Sequence, residues 1–160
     1  MDLRAALSSA LSMMEPQLRS RRIRVQRNVP RYPVTVYCDR IRLEQVIINL
    51  LRNAVDATKT EKEPMIEITV SSGAHAYLSV RDNGPGVSDL EKLFEPFFTT
   101  KKPGEGTGLG LAISSGIVAD FGGRLVAHNL ASDEGTGAVF EMELPLHQPG
   151  GDAKRPLAAE

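Results

Sequence analysis

The sequence predicts an α+β fold, a two-layer sandwich in which a mixed sheet packs on about three helices. Three long segments repeat apolar residues at three- and four-residue steps, which is the period of a helix with one buried face. Six shorter segments are strand-like, most of them with apolar and polar residues in alternation. Because helices and strands follow one another irregularly, the order favours this sandwich over a regular βαβ winding.

The composition indicates one globular domain in a reducing compartment. A chain of 160 residues is long enough for a single core. Its 19 basic and 20 acidic residues leave a net charge of −1, which argues against non-specific nucleic-acid binding. No apolar run approaches the roughly 20 residues of a membrane helix, and Cys38 has no second cysteine with which to pair. We therefore expect a cytoplasmic protein without an intrachain disulfide.

The first third of the chain predicts two helices separated by two short strands. Apolar residues at helical steps place the first helix at Leu3–Arg19. Ile23–Gln26 and Val34–Tyr37 lie on either side of a proline-bearing turn and are predicted as strands. The second helix, Asp39–Thr58, begins with an aspartate suited to an N-cap and has the most regular apolar face in the chain, so we expect it in the core.

The rest of the chain predicts a meander, a glycine-rich loop, a third helix and two last strands. In order, the predicted elements are strands at Met65–Ser71 and Ala76–Asp82 with a hairpin connection at 72–75, a short helical stretch at Leu90–Phe94, a loop at about 95–107, a helix at Leu109–Phe121, and strands at Arg124–His128 and Val139–Leu144. Residues 147–160 contain Pro, Gly and charged residues with little to bury, so we expect a disordered tail.

A polar stripe follows the second helix beside its apolar face. Asn49, Asn53 and Asp56 are spaced at i, i+4 and i+7, which places them on one side of the helix. Carboxamide oxygens suit Mg²⁺, which takes one or two protein ligands together with nucleotide phosphates. Asparagines at a helix border also meet solvent or cap a neighbouring loop, so the stripe alone leaves its ligand open.

A glycine-rich turn, residues 82–86, follows the second strand of the meander. The carboxylate of Asp82 is expected at the strand end, while Gly84 and Gly86 allow another group to approach the backbone closely. A tight turn alone explains the same residues, because turns in any protein use Asp, Asn, Gly and Pro.

A second glycine-rich stretch, residues 104–110, leads directly into the third helix. A helix start of this kind presents free N–H groups and the positive end of the helix dipole to an anion. Thr100, Lys101 and Lys102 come just before it. Neither the Walker nor the Rossmann glycine fingerprint is present, and a flexible surface loop is the alternative interpretation.

In their order along the chain, these motifs resemble the catalytic ATP-binding domain of two-component sensor histidine kinases. The superfamily also includes gyrase-type ATPases, the large heat-shock chaperone and mismatch-repair ATPases. Residues 43–57 resemble the N box, 82–86 the first glycine box, 93–98 the F box and 106–111 the second glycine box. The resemblance covers about residues 34–145 and implies a Bergerat-type sandwich with a flexible ATP lid. The sequence of residues 94–101 is most similar to the corresponding segment of sensors of the nitrogen-regulation and C4-dicarboxylate type.

The resemblance implies ATP and Mg²⁺ as ligands and a role for each motif residue. Asp82 would accept a hydrogen bond from the adenine amino group, which excludes guanine because guanine has an acceptor oxygen there. Asn53 would hold Mg²⁺, Asn49 would assist at the phosphates, and Lys101 would reach the terminal phosphate, so these three are the expected catalytic residues. The further expected nucleotide contacts are Asp56, Gly84, Gly86, Phe94, Thr100, Lys102, Gly106, Thr107, Gly108, Leu109 and Gly110.

Two departures from the superfamily pattern bear on activity. Gyrase-like ATPases carry a water-activating Glu one helical turn before the metal Asn, but this chain has Asn49, which cannot act as a base, so hydrolysis is not expected. In the last glycine box, Ala138 stands where many members carry Thr or Ser beside the adenine carboxylate. A water or a backbone group would have to replace that hydroxyl.

The resemblance also implies partners, because no histidine of the chain suits a phosphoacceptor helix. His75, His128 and His147 are predicted in a turn, on a strand and at the start of the tail. We therefore expect transfer of the γ-phosphate to a histidine on the dimerisation domain of a parent sensor kinase, which then phosphorylates a response regulator. Residues 1–20 would follow that absent domain, residues 21–146 would form the catalytic domain, and residues 147–160 the tail.

The same resemblance predicts the oligomeric state and the cellular location of the chain, and it leaves two alternative functions open. The chain is expected to be a monomeric cytoplasmic part of a homodimeric parent anchored in the inner membrane, with no nucleic acid bound. One rival is a stand-alone protein serine kinase of the anti-sigma-factor type. The other is a module that senses ATP without transferring phosphate.

Overall fold

The computed structural model describes residues 1–99, 108–131 and 133–148. In chain order the elements are α1 (Leu3–Ser20), β1 (Arg24–Asn28), α2 (Arg40–Ala57), β2 (Met65–Ser72), β3 (His75–Asp82), α3 (Gly110–Asp120), β4 (Arg124–Asn129) and β5 (Ala138–Pro145). Each long helix begins after an aspartate whose side chain accepts a backbone N–H: Asp2 from Arg4 and Asp39 from Arg42. These bonds satisfy donors that have no partner within the helix.

The five strands form one open mixed sheet in the order β1-β2-β3-β5-β4. Strand β1 pairs with β2 in parallel, and every other neighbouring pair is antiparallel. The predicted α+β sandwich of a mixed sheet and three helices is therefore confirmed. This order puts β3 in the centre of the sheet, so the residues that follow Asp82 emerge from its middle strand.

One face of the sheet packs on the helices and forms the core. Alternate residues of β2, β3 and β5 are buried, as the period of a strand with one covered face requires. Leu43, Val46, Ile47, Leu50 and Leu51 of α2 pack into the same core and are fully shielded from solvent. Burying a side chain of this size stabilises a fold by roughly 1.5–3 kcal/mol, so α2 is strongly held.

Helix α1 belongs to the same core and packs along α2. Its buried positions recur at three- and four-residue steps, as the sequence predicts. They are Leu3, Ala6, Leu7, Ala10, Met14 and Leu18. The expected domain boundaries at residues 20 and 146 stay a prediction, since the shared core neither marks nor excludes a division there.

Residues 34–36, which we call the strap, correct the predicted strand Val34–Tyr37. Only single bridges form there, Thr35 with Asp2 and Val36 with Leu146. The strap lies between the start of α1 and the end of β5, and neither neighbour continues beside it as a strand, so no ladder extends. Its apolar and polar alternation nevertheless reflects real burial, because Val34 and Val36 are each 1% exposed.

Several other boundaries differ from the sequence prediction. Residues Leu90–Phe94 form successive turns rather than a helix, since five residues return too few hydrogen bonds to offset the cost of a helical nucleus. Strand β3 begins at His75, which was predicted in the hairpin, and α3 begins at Gly110. At the start of the predicted tail, the His147 N–H donates to Thr35 O at 2.8 Å, while residues 149–160 lie outside the described part of the chain.

None of the helices within residues 1–99, 108–131 and 133–148 combines the length and the apolar character of a membrane-spanning segment.

Candidate functional site

The carboxylate of Asp82 lies almost fully buried at the end of the central strand. Its Oδ1 accepts the N–H of Gly84 at 2.9 Å and the N–H of Ala138 at 3.4 Å. Burial raises the pKa of Asp82, against the lowering effect of these two hydrogen bonds, and the charge of Glu61 adds to the rise. Within the described part of the chain, the hydrogen bonds to this carboxylate fall on Oδ1, which leaves Oδ2 for a ligand. A backbone group, the N–H of Ala138, therefore bonds the carboxylate at the position where many family members carry a hydroxyl.

The turn after Asp82 lies directly against the end of α2. A β-carbon added at Gly84 would overlap the carbonyl oxygen of Ala57, so only glycine allows this approach. Asn83 braces the turn from the other side: its Nδ2 donates to Glu63 O and its Oδ1 accepts from Met65 N, both at 2.9 Å. The base of the candidate site is thus formed by β3, its following turn and the last turn of α2.

The side chain of Asn49 fills the contact between α2 and α3. Its Nδ2 donates to Oγ of Ser114, which is buried, at 3.1 Å. Its Oδ1 lies 2.5 Å from the position of a β-carbon added at Gly110, so glycine is required at the first residue of α3. Farther along, Arg42 forms an ion pair with Asp120 at 2.6 Å and lies over the ring of Phe121. These contacts fix both ends of α3 relative to α2.

Asn53, one helical turn beyond Asn49, has an incomplete set of hydrogen bonds. Its Nδ2 is buried and has no hydrogen-bond partner among the described residues. Leaving a buried polar group unpaired costs roughly 1–3 kcal/mol, so a ligand that supplies the partner gains that amount. As assigned, the nitrogen would donate to a phosphate oxygen, and a half-turn of the amide would present Oδ1 to a cation instead. With the nitrogen where it lies, the residue fits a phosphate contact, and after the half-turn it fits the magnesium role predicted for it.

The start of α3 is also suited to an anion. Its N-cap residue, Leu109, provides no side-chain hydrogen bond to the first turn, in contrast to the aspartates that cap α1 and α2. The N–H groups of that turn and the positive end of the helix dipole therefore face the neighbourhood of Asn49 without a side-chain acceptor from the cap.

These features lie along one side of α2. Asn49 contacts α3, and Ala57, eight residues later, meets the turn after Asp82, which is a separation of roughly 12 Å along the helix axis. Asn53 lies between the two ends. The described residues therefore bring together a buried carboxylate acceptor, an amide nitrogen without a partner among those residues and the start of a helix. This set of donors and acceptors fits a nucleotide with its base at Asp82 and its phosphates towards α3.

The other predicted site residues lie around the edge of this set or outside the described residues. Asp56, Phe94, Gly108 and Leu109 are half-buried around this side of the fold, and a β-carbon added at Gly108 would overlap the backbone of Phe97. Gly86 has a φ of +86° in the turn after Asp82. The predicted contacts outside the described residues are Thr100, Lys101, Lys102, Gly106 and Thr107.

Two residues of the site were missed by sequence reasoning, Ser114 and Asn129. Ser114 meets Asn49 across 65 positions, and Asn129 meets the backbone of Val87 across 42. No local spacing could have indicated contacts between such distant residues. The only available signal was a serine on the inner face of a helix otherwise lined by apolar residues.

A cavity of about 770 Å³ lies beside the candidate site without including it. Arg21, Arg22 and Arg24 line one side, and residues 58–59 and 61–65 line much of the rest. It shares Asn83 with the turn after Asp82, but neither Asp82 nor the asparagines of α2 open into it. The candidate site along α2 is therefore separate from this cavity.

Comparisons with known proteins agree with this geometry. Residues 38–148 match the family described as histidine kinase-, DNA gyrase B- and HSP90-like ATPases. The chain is 40% identical to the two-component sensor PprA of Pseudomonas aeruginosa over 156 residues, 92% of this chain and 16% of that protein. It is also 40% identical to the C4-dicarboxylate transport sensor protein DctB of the same organism over 153 residues, 93% of this chain and 24% of that protein.

Solved structures give the same result. The catalytic domain of histidine kinase ThkA has a TM-score of 0.78 and 33% identity, with 91% of this chain and 95% of that chain covered. A structure of ThkA in complex with the response regulator protein TrrA has a TM-score of 0.75 and 31% identity, covering 91% of this chain and 40% of that one. On sequence and fold together, the chain belongs to the histidine kinase-, DNA gyrase B- and HSP90-like ATPase family, and its relatives are sensor histidine kinases.

Proposed function

We propose that this chain binds Mg-ATP and donates its γ-phosphate to a histidine on the dimerisation domain of a parent sensor kinase. The observation that carries the proposal is the position of α2. Its two asparagines lie between the buried carboxylate of Asp82 and the start of α3, and the amide nitrogen of Asn53 has no hydrogen-bond partner among the described residues. The chain spans about a sixth to a quarter of the length of the curated relatives quoted above, so the activity of such a parent is part of the proposal.

The base is recognised by Asp82 in this proposal. Oδ2 accepts a hydrogen from the adenine amino group, while Oδ1 stays bonded to Gly84 and Ala138. Guanine presents an acceptor oxygen at that position, and two acceptors face to face repel, so adenine is selected. Because the carboxylate is held by two backbone groups, it needs no rearrangement when the base arrives.

The phosphates lie along α2 towards α3. Asn53 donates to a phosphate oxygen through the amide nitrogen that has no partner among the described residues, or holds the metal through Oδ1 after a half-turn of the amide. The first N–H groups of α3 donate hydrogen bonds to phosphate oxygens. Bound Mg²⁺ would neutralise charge on the terminal phosphates and help to orient them. Lys101 and Lys102, outside the described residues, remain the proposed cations at the terminal phosphate.

Transfer needs positioning rather than a base from this chain. The bond between the γ-phosphorus and the bridging oxygen breaks, ADP leaves, and a bond forms from that phosphorus to an imidazole nitrogen of the acceptor. Asn49 has no proton-accepting group with which to activate water, so water is a poor competing acceptor.

The acceptor histidine is proposed to come from another domain. His75 and His128 lie on strands and His147 follows β5, so none of the three histidines of the chain is on a helix. His75 pairs with Glu143 at 3.3 Å, and the ring of His147 lies 5.9 Å from that of Tyr37. The complex of ThkA with a response regulator supports the further proposal that phosphate then passes to such a protein.

The same proposal places a monomeric chain in the cytoplasm, as part of a homodimeric parent anchored in the inner membrane. ATP is available there, and thiols such as that of Cys38 stay reduced. Burial raises the pKa of Cys38, so this thiol is a poor nucleophile and has no part in the proposed chemistry.

Calorimetric titration tests ligand binding first. The purified chain should bind one ATP, more tightly with Mg²⁺ than with chelator. Asn53→Ala should weaken ATP binding in Mg²⁺ by about tenfold or more and in chelator much less, because it removes the proposed metal ligand. The matched control is Asn28→Ala at the end of edge strand β1, which should bind as the unchanged chain does. An equal loss in Mg²⁺ and in chelator would remove the metal role of Asn53.

Label transfer then tests the acceptor. With γ-labelled ATP and a sensor-kinase dimerisation domain, the proposal expects an acid-labile, base-stable label on that domain, as phosphohistidine gives. An acid-stable label on a serine of a partner protein would support a serine kinase instead. Binding of ATP without transfer to any acceptor would support a module that only senses nucleotide.

A further inference from the structure

Asn129 makes a two-point contact with the backbone of the turn that follows Asp82. Its Oδ1 accepts the N–H of Val87 at 2.7 Å, and its Nδ2 donates to the carbonyl oxygen of Val87 at 2.8 Å. These are the bonds that a neighbouring strand residue would make, supplied here by one side chain. Because the nitrogen meets a carbonyl and the oxygen meets an N–H, the orientation of the amide is fixed.

The backbone of Asn129 is linked, through its strand partner, to Asp82 at the beginning of the same turn. Asn129 is the last residue of β4 and pairs with Ala138, the first residue of β5. The N–H of Ala138 in turn donates to Oδ1 of Asp82. One residue pair at the end of the sheet therefore contacts both ends of the segment 82–87.

Gly86 shows how closely the amide fits. A β-carbon added there would lie 2.9 Å from Oδ1 of Asn129 and 3.5 Å from the carbonyl oxygen of Gly137. A side chain at this position would therefore displace the Asn129 amide, and the φ of +86° at Gly86 also favours glycine there. Loss of the amide would free the N–H and carbonyl of Val87.

We infer that Asn129 is a positioning residue for the adenine pocket. It holds the turn 83–87 at Val87, so that the turn keeps one position relative to the carboxylate of Asp82. The inference rests on the proposed function, because it assigns adenine to Asp82. Asn129 acts on the base end of the ligand, at the opposite end of α2 from the contact between Asn49 and α3.

The test compares ligands that share the base and differ in their phosphates. Asn129→Ala should raise the dissociation constants of adenosine, ADP and Mg-ATP by the same factor, about tenfold, because two hydrogen bonds that order the pocket are lost. Calorimetry on the full chain gives the three values. Hydrogen exchange at the Val87 amide should become faster in the same variant, because its acceptor is gone.

Two further variants separate positioning from general stability. Asn129→Asp keeps the shape and one acceptor but places a second oxygen against the Val87 carbonyl, so it should not restore binding. If Asn129→Ala fails to fold, this variant carries the same comparison. Asn28→Ala, at the end of the opposite edge strand, is the matched control and should leave all three dissociation constants unchanged.

Three outcomes would overturn the inference. Unchanged binding of all three ligands by Asn129→Ala would show that the turn needs no support from the amide. A loss confined to Mg-ATP would place the effect at the phosphates. Failure of the unchanged chain to bind any adenine compound would overturn the proposed function, and with it the assignment of this pocket to adenine.

Discussion

At the scale of single residues, Asp82 shows a conflict between burial and charge. The carboxylate is 3% exposed, and burial raises its pKa despite two hydrogen bonds from backbone N–H groups. The ionised form therefore costs the folded state free energy that a neutral amide would not. The site retains the carboxylate at the position where the proposed ligand offers a hydrogen.

Asp82→Asn should separate ligand binding from stability. An amide nitrogen would face the adenine amino group, so the affinity for adenosine should fall by about tenfold or more. The amide oxygen still accepts the N–H groups of Gly84 and Ala138, so the free energy of unfolding at neutral pH should stay equal or rise. Calorimetry and urea unfolding measure the two quantities, and unchanged adenosine affinity would contradict the assignment of the base.

The same variant should change the pH dependence of stability. Because the pKa of Asp82 is raised on folding, its protonated form favours the folded state at low pH, and this advantage is lost as pH rises through the folded pKa. Asp82→Asn removes that component. Urea unfolding between about pH 4 and 7 should therefore show a difference in stability between variant and unchanged chain that grows with pH.

Ser114→Ala tests whether the amide of Asn49 must be held. The change removes the acceptor at 3.1 Å and leaves a half-buried donor unpaired, so the free energy of unfolding should fall by about 1 kcal/mol. Mg-ATP should bind more weakly, while adenosine, which lacks phosphates, should bind as before. Ser115→Ala is the neighbouring control, since the next residue lies about 100° around the helix. An equal loss of adenosine affinity would contradict a role at the phosphate end.

At the scale of elements, the start of β5 is as important to the site as the turn after β3. Gly137, just before β5, has a φ of +136°, and a β-carbon there would overlap the carbonyl oxygen of Asp82. This close approach brings the N–H of Ala138 to the carboxylate. The connection between β4 and β5 therefore helps to shape the pocket, although it is far from Asp82 in sequence.

Gly137→Ala should destabilise the fold and weaken adenosine binding together. Gly135→Ala is the matched control, because Gly135 also has a positive φ, +99°, but has open space around it. We expect the control to lose about 1 kcal/mol of unfolding free energy from backbone strain alone. The Gly137 variant should lose clearly more, as urea unfolding would show, and equal losses would contradict the close approach.

At the scale of the whole molecule, α1 contributes buried side chains to the core. Leu7→Ala removes a fully buried side chain from its contact with α2 and should lower the free energy of unfolding by about 2–5 kcal/mol. Ser12→Ala on the exposed side of α1 is the control and should change it by less than about 0.5 kcal/mol. A small effect of Leu7→Ala would mean that α1 contributes little to the fold.

The sequence predicted well wherever local pattern decides the outcome. Helix α2 and the end of β3 were located because periodicity, an N-capping aspartate and a strand-end turn are encoded within a few residues. The strap was predicted as a strand because alternation reports burial but not the length of the paired ladder. Ser114 and Asn129 were missed because their contacts join residues that only the folded chain brings together.

The contacts of the strap also indicate that the domain could be circularly permuted. The N–H of Val36 donates to the carbonyl oxygen of Met1 at 2.9 Å, and Thr35 accepts from His147, so the two ends of the described chain lie on one short segment. A brief linker could therefore join them in a circular permutant. New ends opened at Gly73, which has free space around it, would lie across the full length of β3 from Asp82 and would leave the candidate site continuous.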